Sequence, residues 1–128
     1  MSFKELSLTW GMLLAAAALN VLGLYAIKAR LAVLGSIPVT ALPATIEYVV
    51  TFLRSPAALL GVVCIFAAPL PHAVALSRMP LALAYPASVG LTALLLLPLS
   101  VLVLGEPLTG SRIAGIVLLT ASLAFLYR

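Results

Sequence analysis

The sequence predicts an all-α integral membrane protein: four transmembrane helices, with a short interfacial helix between the first and the second. Three observations carry that prediction. The chain of 128 residues is 65% hydrophobic and only 8% charged, with a mean hydropathy of +1.31, far beyond the roughly half-apolar usage of a water-soluble domain. Long stretches carry no charge at all, and the few Lys and Arg residues stand at their ends. Between the stretches lie the Gly, Pro and Ser clusters that end helices and start new ones.

The first span is placed at Leu8–Ile27, 20 uncharged residues, enough to cross a hydrocarbon core of about 30 Å. Its Ala15–Ala18 run and Gly23 allow close helix approach, and Asn20 is its internal polar residue. Lys28 and Arg30 are expected to close it. It lacks the short apolar core and small-residue cleavage site of a secretory signal, so the reading keeps it in the mature protein.

Residues 31–56 are apolar but interrupted by Gly35, Pro38 and Pro43, which disfavours a continuous span. Within them Glu47, Thr51 and Arg54 fall on one side of a helix and Ile46, Val49, Val50 and Leu53 on the other, predicting an interfacial helix at Thr45–Arg54. Ser55-Pro56 then fits an N-cap followed by Pro in the first turn.

The second span is placed at Ala57–Ser77, bent by Pro69 and Pro71 and carrying His72. Arg78–Pro80 is a short turn, so the second and third helices are antiparallel neighbours. Pro80 suits the first turn of the third span, Leu81–Leu104, 24 residues without charge and with a kink expected at Pro98. Gly105-Glu106-Pro107 ends it and Thr109-Gly110-Ser111 offers caps. The fourth span, Ile113–Tyr127, is short, with Tyr127 at interfacial depth. No repeat or linker divides the chain, so residues 1–128 read as one four-helix domain with both termini on one side.

Composition also excludes. Seven Lys/Arg against three acidic residues give a net charge of +4, but these cations stand at span ends, where they anchor to lipid headgroups rather than to nucleic acid. The single Cys64 admits no intrachain disulfide. No cluster of His, Cys and carboxylates suggests a metal, no cofactor motif is present, and nothing resembles a triad, a phosphate-cradling Gly loop or paired acid and base carboxylates. An enzyme is the class the sequence supports least.

Few residues are left to carry chemistry. Tyr85, Ser88 and Thr92 recur at i, i+3 and i+7 and stack three hydroxyls on one helix face; they suit either interhelical hydrogen bonding or the wall of a substrate groove. Asn20 bonds a neighbouring helix or a ligand. Lys28, Arg30 and Arg78 are either snorkelling anchors or contacts for an anionic headgroup or phosphate. Lys28 is the foremost of these, eight residues beyond Asn20 on nearly the same helical side. Structural roles are expected for Glu106 and Arg112, which can pair, and for His72, which can bond a carbonyl freed by Pro69 or Pro71.

One stretch also carries a resemblance. Met79-Pro80, Leu83-Ala84-Tyr85-Pro86, a long apolar helix and Gly105-Glu106-Pro107-Leu108 before a final apolar helix resemble the second half of a four-helix unit of the drug/metabolite transporter superfamily. That group includes small multidrug resistance proteins and EamA-type repeats; the pattern is most similar to the subunits that flip aminoarabinose-phosphoundecaprenol. The resemblance covers Arg78–Arg128 well and the first half loosely.

It implies that the third helix lines the substrate path, that Lys28 corresponds to a recurring lysine and that Glu106 corresponds to a family glutamate. It also sets Leu19-Asn20-Val21-Leu22-Gly23 where the drug exporters hold an essential proton-exchanging glutamate, and an amide cannot titrate. The implied function is a transporter or flippase of a small amphiphile, foremost a polyprenyl-phosphate-linked sugar, in the bacterial inner membrane. The alternatives are a small multidrug or metabolite exporter and a non-transporting accessory subunit. Lys4, Arg78 and Arg128 stand on one side and Lys28, Arg30, Arg54 and Arg112 on the other, a weak orientation bias. An antiparallel homodimer, or a heterodimer with a related small membrane protein, is therefore expected.

Overall fold

The computed structural model describes residues 3–39, 41–105, 107 and 109–126. Among these residues no strand occurs. The helices are α1 (Phe3–Leu34), α2 (Leu42–Leu53), α3 (Pro56–Ala67), α4 (Pro69–Leu76), α5 (Leu81–Leu102) and α6 (Gly110–Leu126). Because α3 and α4 form one apolar run, three helical stretches are long and apolar enough to cross a membrane: Lys4–Leu34, Pro56–Leu76 and Leu81–Leu102. The 17 residues of α6 sit at the lower limit for a span, and the 12 of α2 fall well below it.

The first helix corrects the sequence reading. Lys28 and Arg30 do not close α1, which runs 32 residues, because Lys and Arg are good helix formers and nothing in their backbone resists continuation. Gly35 stops it: at φ +80° it takes the left-handed conformation that glycine adopts freely, and its N–H donates to the Leu31 carbonyl at 2.9 Å. The charge-free run 8–27 is thus the middle of a longer helix.

Other boundaries shift for local reasons. The helix expected at Thr45–Arg54 starts at Leu42, since Pro43 fits its first turn. Ser55 is the N-cap of α3 with Pro56 in the first turn, although the Ser55 side chain makes no capping bond. Between α3 and α4, Ala68 keeps helical angles. The ladder fails there because Pro69 and Pro71 have no N–H to give, and the His72 N–H reaches the Ala68 carbonyl only at 3.4 Å.

Pro80, with ψ 140°, precedes α5 rather than joining its first turn, and α5 ends at Leu102, two residues short of the expected Leu104, with Pro86 and Pro98 inside it. The last helix starts at Gly110, not Ile113, with the Thr109 carbonyl accepting from the Arg112 and Ile113 N–H groups. Glu106 and Tyr127 lie outside the described residues.

Packing is organised around α1, which contacts α3, α4 and α5, whereas α6 packs on α5 among the described residues. The buried positions are mostly small: Ala16, Ala17, Ala58, Ala68, Ala75, Ala84 and Ala87, with Leu13 and Val21. Without a hydrophobic drive between helices in lipid, such residues hold a bundle together by letting backbones approach. The polar Thr9 is buried too, its hydroxyl donating to the Glu5 carbonyl at 2.8 Å. Large apolar side chains point outward instead, Phe66 at 79% and Leu102 at 83% exposed, as in a protein solvated by lipid.

Leu13 of α1 meets Ala75 of α4 and Ala87 of α5 in a closed cluster, with Met79 packed against it. From there α1 and α5 run parallel, Leu24 sharing a cavity with Leu96 and Lys28 with Ser100. The site described next lies along these two helices, beyond the cluster.

Candidate ligand-binding groove

Beyond the Leu13 cluster an open groove of about 600 Å³ lies between α1, the α3–α4 junction and α5. Asn20 and Leu24 form its α1 wall, Ile65, Ala68, Pro69 and His72 the opposite one, and Tyr85, Ser88 and Thr92 its α5 wall. The helical spacing of these three hydroxyls puts them together, while Ala84 and Ala87 turn the other way into the core. Four residues singled out in the sequence, Asn20, Tyr85, Ser88 and Thr92, therefore share one groove.

Their hydrogen bonding divides them. Ser88 Oγ donates to the Tyr85 carbonyl at 3.0 Å and Thr92 Oγ1 to the Ser88 carbonyl at 2.8 Å. Both hydroxyl protons are used within the helix, which leaves oxygen lone pairs to the groove. Among the described residues, the Asn20 amide, the His72 ring and the Tyr85 hydroxyl have no hydrogen-bond partner. Asn20 and His72 are half-buried and Tyr85, 63% exposed, stands at the rim. An unpaired polar group in an apolar medium is costly, so three of them converging on one opening mark a place for a polar occupant. Pro69 adds to this, since it has no N–H to offer the Ile65 carbonyl.

Lys28 is not in the groove. It lines an adjoining pocket of about 260 Å³ with Tyr25 and Ser100, and Leu24 and Leu96 border both cavities. Eight residues of helix separate Lys28 from Asn20, about 12 Å along the axis. On its far side Lys28 also borders an open pocket against Gly35 and Ser36.

The other predicted residues lie elsewhere. Arg30 lines neither cavity; its Nε is buried without a partner among the described residues. Arg78 is exposed in the turn between α4 and α5, at the end of the bundle away from Lys28. Arg112 donates from its guanidinium to the Pro107 carbonyl at 3.0 Å, holding the turn before α6. Among the described residues no group of three His, Cys, Asp or Glu is placed to hold a metal.

His72 is the main correction. The side-chain bond to a carbonyl expected for it is absent among the described residues, and His72 lines the groove. Tyr25 and Ser100 were also missed, although Ser100 continues the four-residue stripe from Ser88 through Thr92 and Leu96. Compared with known proteins, the chain matches no family model, no curated protein and no solved structure.

Proposed function

We propose that this chain is a four-helix membrane transporter or flippase for a small amphiphile with an anionic headgroup, foremost a sugar linked to a polyprenyl phosphate. The observation that carries the reading is the convergence of Asn20, Tyr85, Ser88 and Thr92 on one open groove, with Lys28 in the pocket next to it. The polar part of the ligand sits among the amide and hydroxyl oxygens, the anion pairs with Lys28, and the apolar tail stays in lipid against the outward-facing leucines. The resemblance of Met79–Leu108 to lipid-flipping subunits supports the same class.

In this reading α6 is the fourth span: its 17 residues reach about 26 Å, which a slightly thinned bilayer accommodates. Residues 8–27 of the first span contain no acid to exchange protons against a cationic drug, which sets the chain apart from multidrug export. The balanced cations at the two ends favour an antiparallel homodimer or a related partner chain in the bacterial inner membrane.

The test is binding of a short-chain polyprenyl-phosphate sugar to purified wild type, Lys28→Gln and Ser88→Ala. Lys28→Gln is expected to bind much more weakly, through lost charge pairing. Equal affinity in three folded proteins rejects the site and favours a non-transporting accessory subunit.

A further inference from the structure

His72 is a titratable side chain inside the groove, and the proposed function does not use it. Its neighbours there are known from every helix packed on α4. The α1 wall offers Asn20, an amide without a titratable group, and the α5 wall offers the hydroxyls of Tyr85, Ser88 and Thr92. From α3 comes Ile65, while Cys64 does not line the groove. The nearest cation along the groove is Lys28, in the adjoining pocket. Among the described residues no carboxylate lines either cavity: Glu5 and Glu47 are on exposed parts of α1 and α2.

An anion that moves from Lys28 into this groove leaves its counter-charge behind. Between apolar walls an uncompensated charge is strongly disfavoured. Imidazole is the side chain whose charge changes near neutral pH, so it is the group on this wall that can supply a cation when the anion arrives. The stretched His72 N–H to Ala68 bond and the flanking Pro69 and Pro71 leave this segment loosely laddered, with room for the ring to adjust.

We infer that His72 is a proton-linked contact for the ligand's anion: the ring takes a proton from water at the open groove as the anion enters, and returns it when the anion leaves. This rests on the reading of the groove as an anionic amphiphile site. The linkage fixes the sign. If ligand binding takes up a proton, lower pH tightens binding, and the coupling is reciprocal. Lys28 then holds the anion, and His72 admits it deeper only with a proton.

The probe is a short-chain prenyl-phosphate glucoside, a phosphodiester whose single negative charge is fixed over the range used. Binding to wild type, His72→Gln and Lys28→Gln in zwitterionic nanodiscs is measured by calorimetry at about pH 5.5 and about pH 8. Buffers of different ionisation heat report proton uptake directly on wild type, so the inference does not depend on a variant folding. Wild type is expected to bind on the order of tenfold tighter at the lower pH and to take up protons on binding near neutrality. His72→Gln keeps the high-pH affinity and loses the pH dependence; Lys28→Gln binds more weakly at both pH values with the dependence intact.

Binding without proton uptake, or a pH dependence that persists in His72→Gln, overturns the role of His72 and leaves the proposed function standing. Absence of probe binding by wild type at either pH overturns both.

Discussion

Gly23 of α1 and Gly61 of α3 hold each other's backbones. A Cβ on Gly23 meets the Gly61 carbonyl oxygen at 2.8 Å, and one on Gly61 meets the Gly23 carbonyl oxygen at 2.9 Å. Backbone oxygens cannot rotate away as side chains do, so even one methyl forces the two helices apart. We expect Gly61→Ala and Gly23→Ala to destabilise the bundle by about 1–3 kcal/mol, measured by unfolding in mixed detergent micelles. Gly11→Ala and Gly115→Ala, which meet nothing within 4 Å, serve as controls and should not destabilise. Equal behaviour of all four would remove the glycine crossing as a stabilising contact.

A second contact of this kind fastens the last helix. Leu123 of α6 lies over Gly90 of α5, the helix on which α6 packs among the described residues. Gly90→Val is therefore expected to loosen α6 selectively. A spin label at Ala124 should become more mobile in that variant, while one at Ala26, beside the Gly61 crossing, stays as in wild type.

The hydroxyls of the groove should not weigh equally with its amide. Ser88 and Thr92 spend their protons on carbonyls one turn back, so each offers a ligand only an acceptor. Asn20 offers both a donor and an acceptor. Asn20→Leu is expected to weaken binding of the lipid-linked sugar by about 1–3 kcal/mol and Ser88→Ala by about 1 kcal/mol or less. The reverse order of affinities would show that the amide faces away from the ligand.

The α2 helix buries none of its residues and is tied to the end of α1 by side chains. The Tyr48 hydroxyl donates to the Gly35 carbonyl at 2.7 Å, and the Thr45 hydroxyl reaches the Pro38 carbonyl. Tyr48→Phe removes the first of these at a cost of about 0.5–1.5 kcal/mol. Faster amide hydrogen exchange across Leu42–Leu53, with α3 unchanged, is the expected readout.

Resistance to quaternary ammonium drugs gives a cellular check. With Asn20 in the first span and no carboxylate along the groove, expression should not raise resistance. A rise that collapses when a proton uncoupler is added would contradict the assignment of Asn20.

The sequence was most legible where one segment carried its own evidence. Tyr85, Ser88 and Thr92 lie on one helix, and their spacing alone sets them on one face. The turn before Pro56 and the stop near Gly105 were likewise written in local chemistry. The true end of α1 was also visible, in Gly35, but charge was weighed above glycine; charge ends a charge-free run, whereas backbone geometry ends a helix.

What the sequence withheld were relations between helices. Nothing in the neighbourhood of Asn20 says that it meets α5 and the proline junction, and nothing about Gly23 points to Gly61. His72 was assigned to its own helix's carbonyls because a local partner is all that a local reading can supply.

The length of α1 ties the groove to the membrane around it. At 1.5 Å per residue its 32 residues extend about 48 Å, while a hydrocarbon layer of about 30 Å crossed at a tilt near 20° needs only about 32 Å of helix. The surplus must stand in the headgroup layer, and it includes Lys28, the end of the helix and the tether to α2. A thicker bilayer would draw that surplus inward and a thinner one would push it out. Lys28 is thus set at a depth determined by the host lipid, and acyl-chain length becomes a variable to which the proposed anion contact at Lys28 must respond.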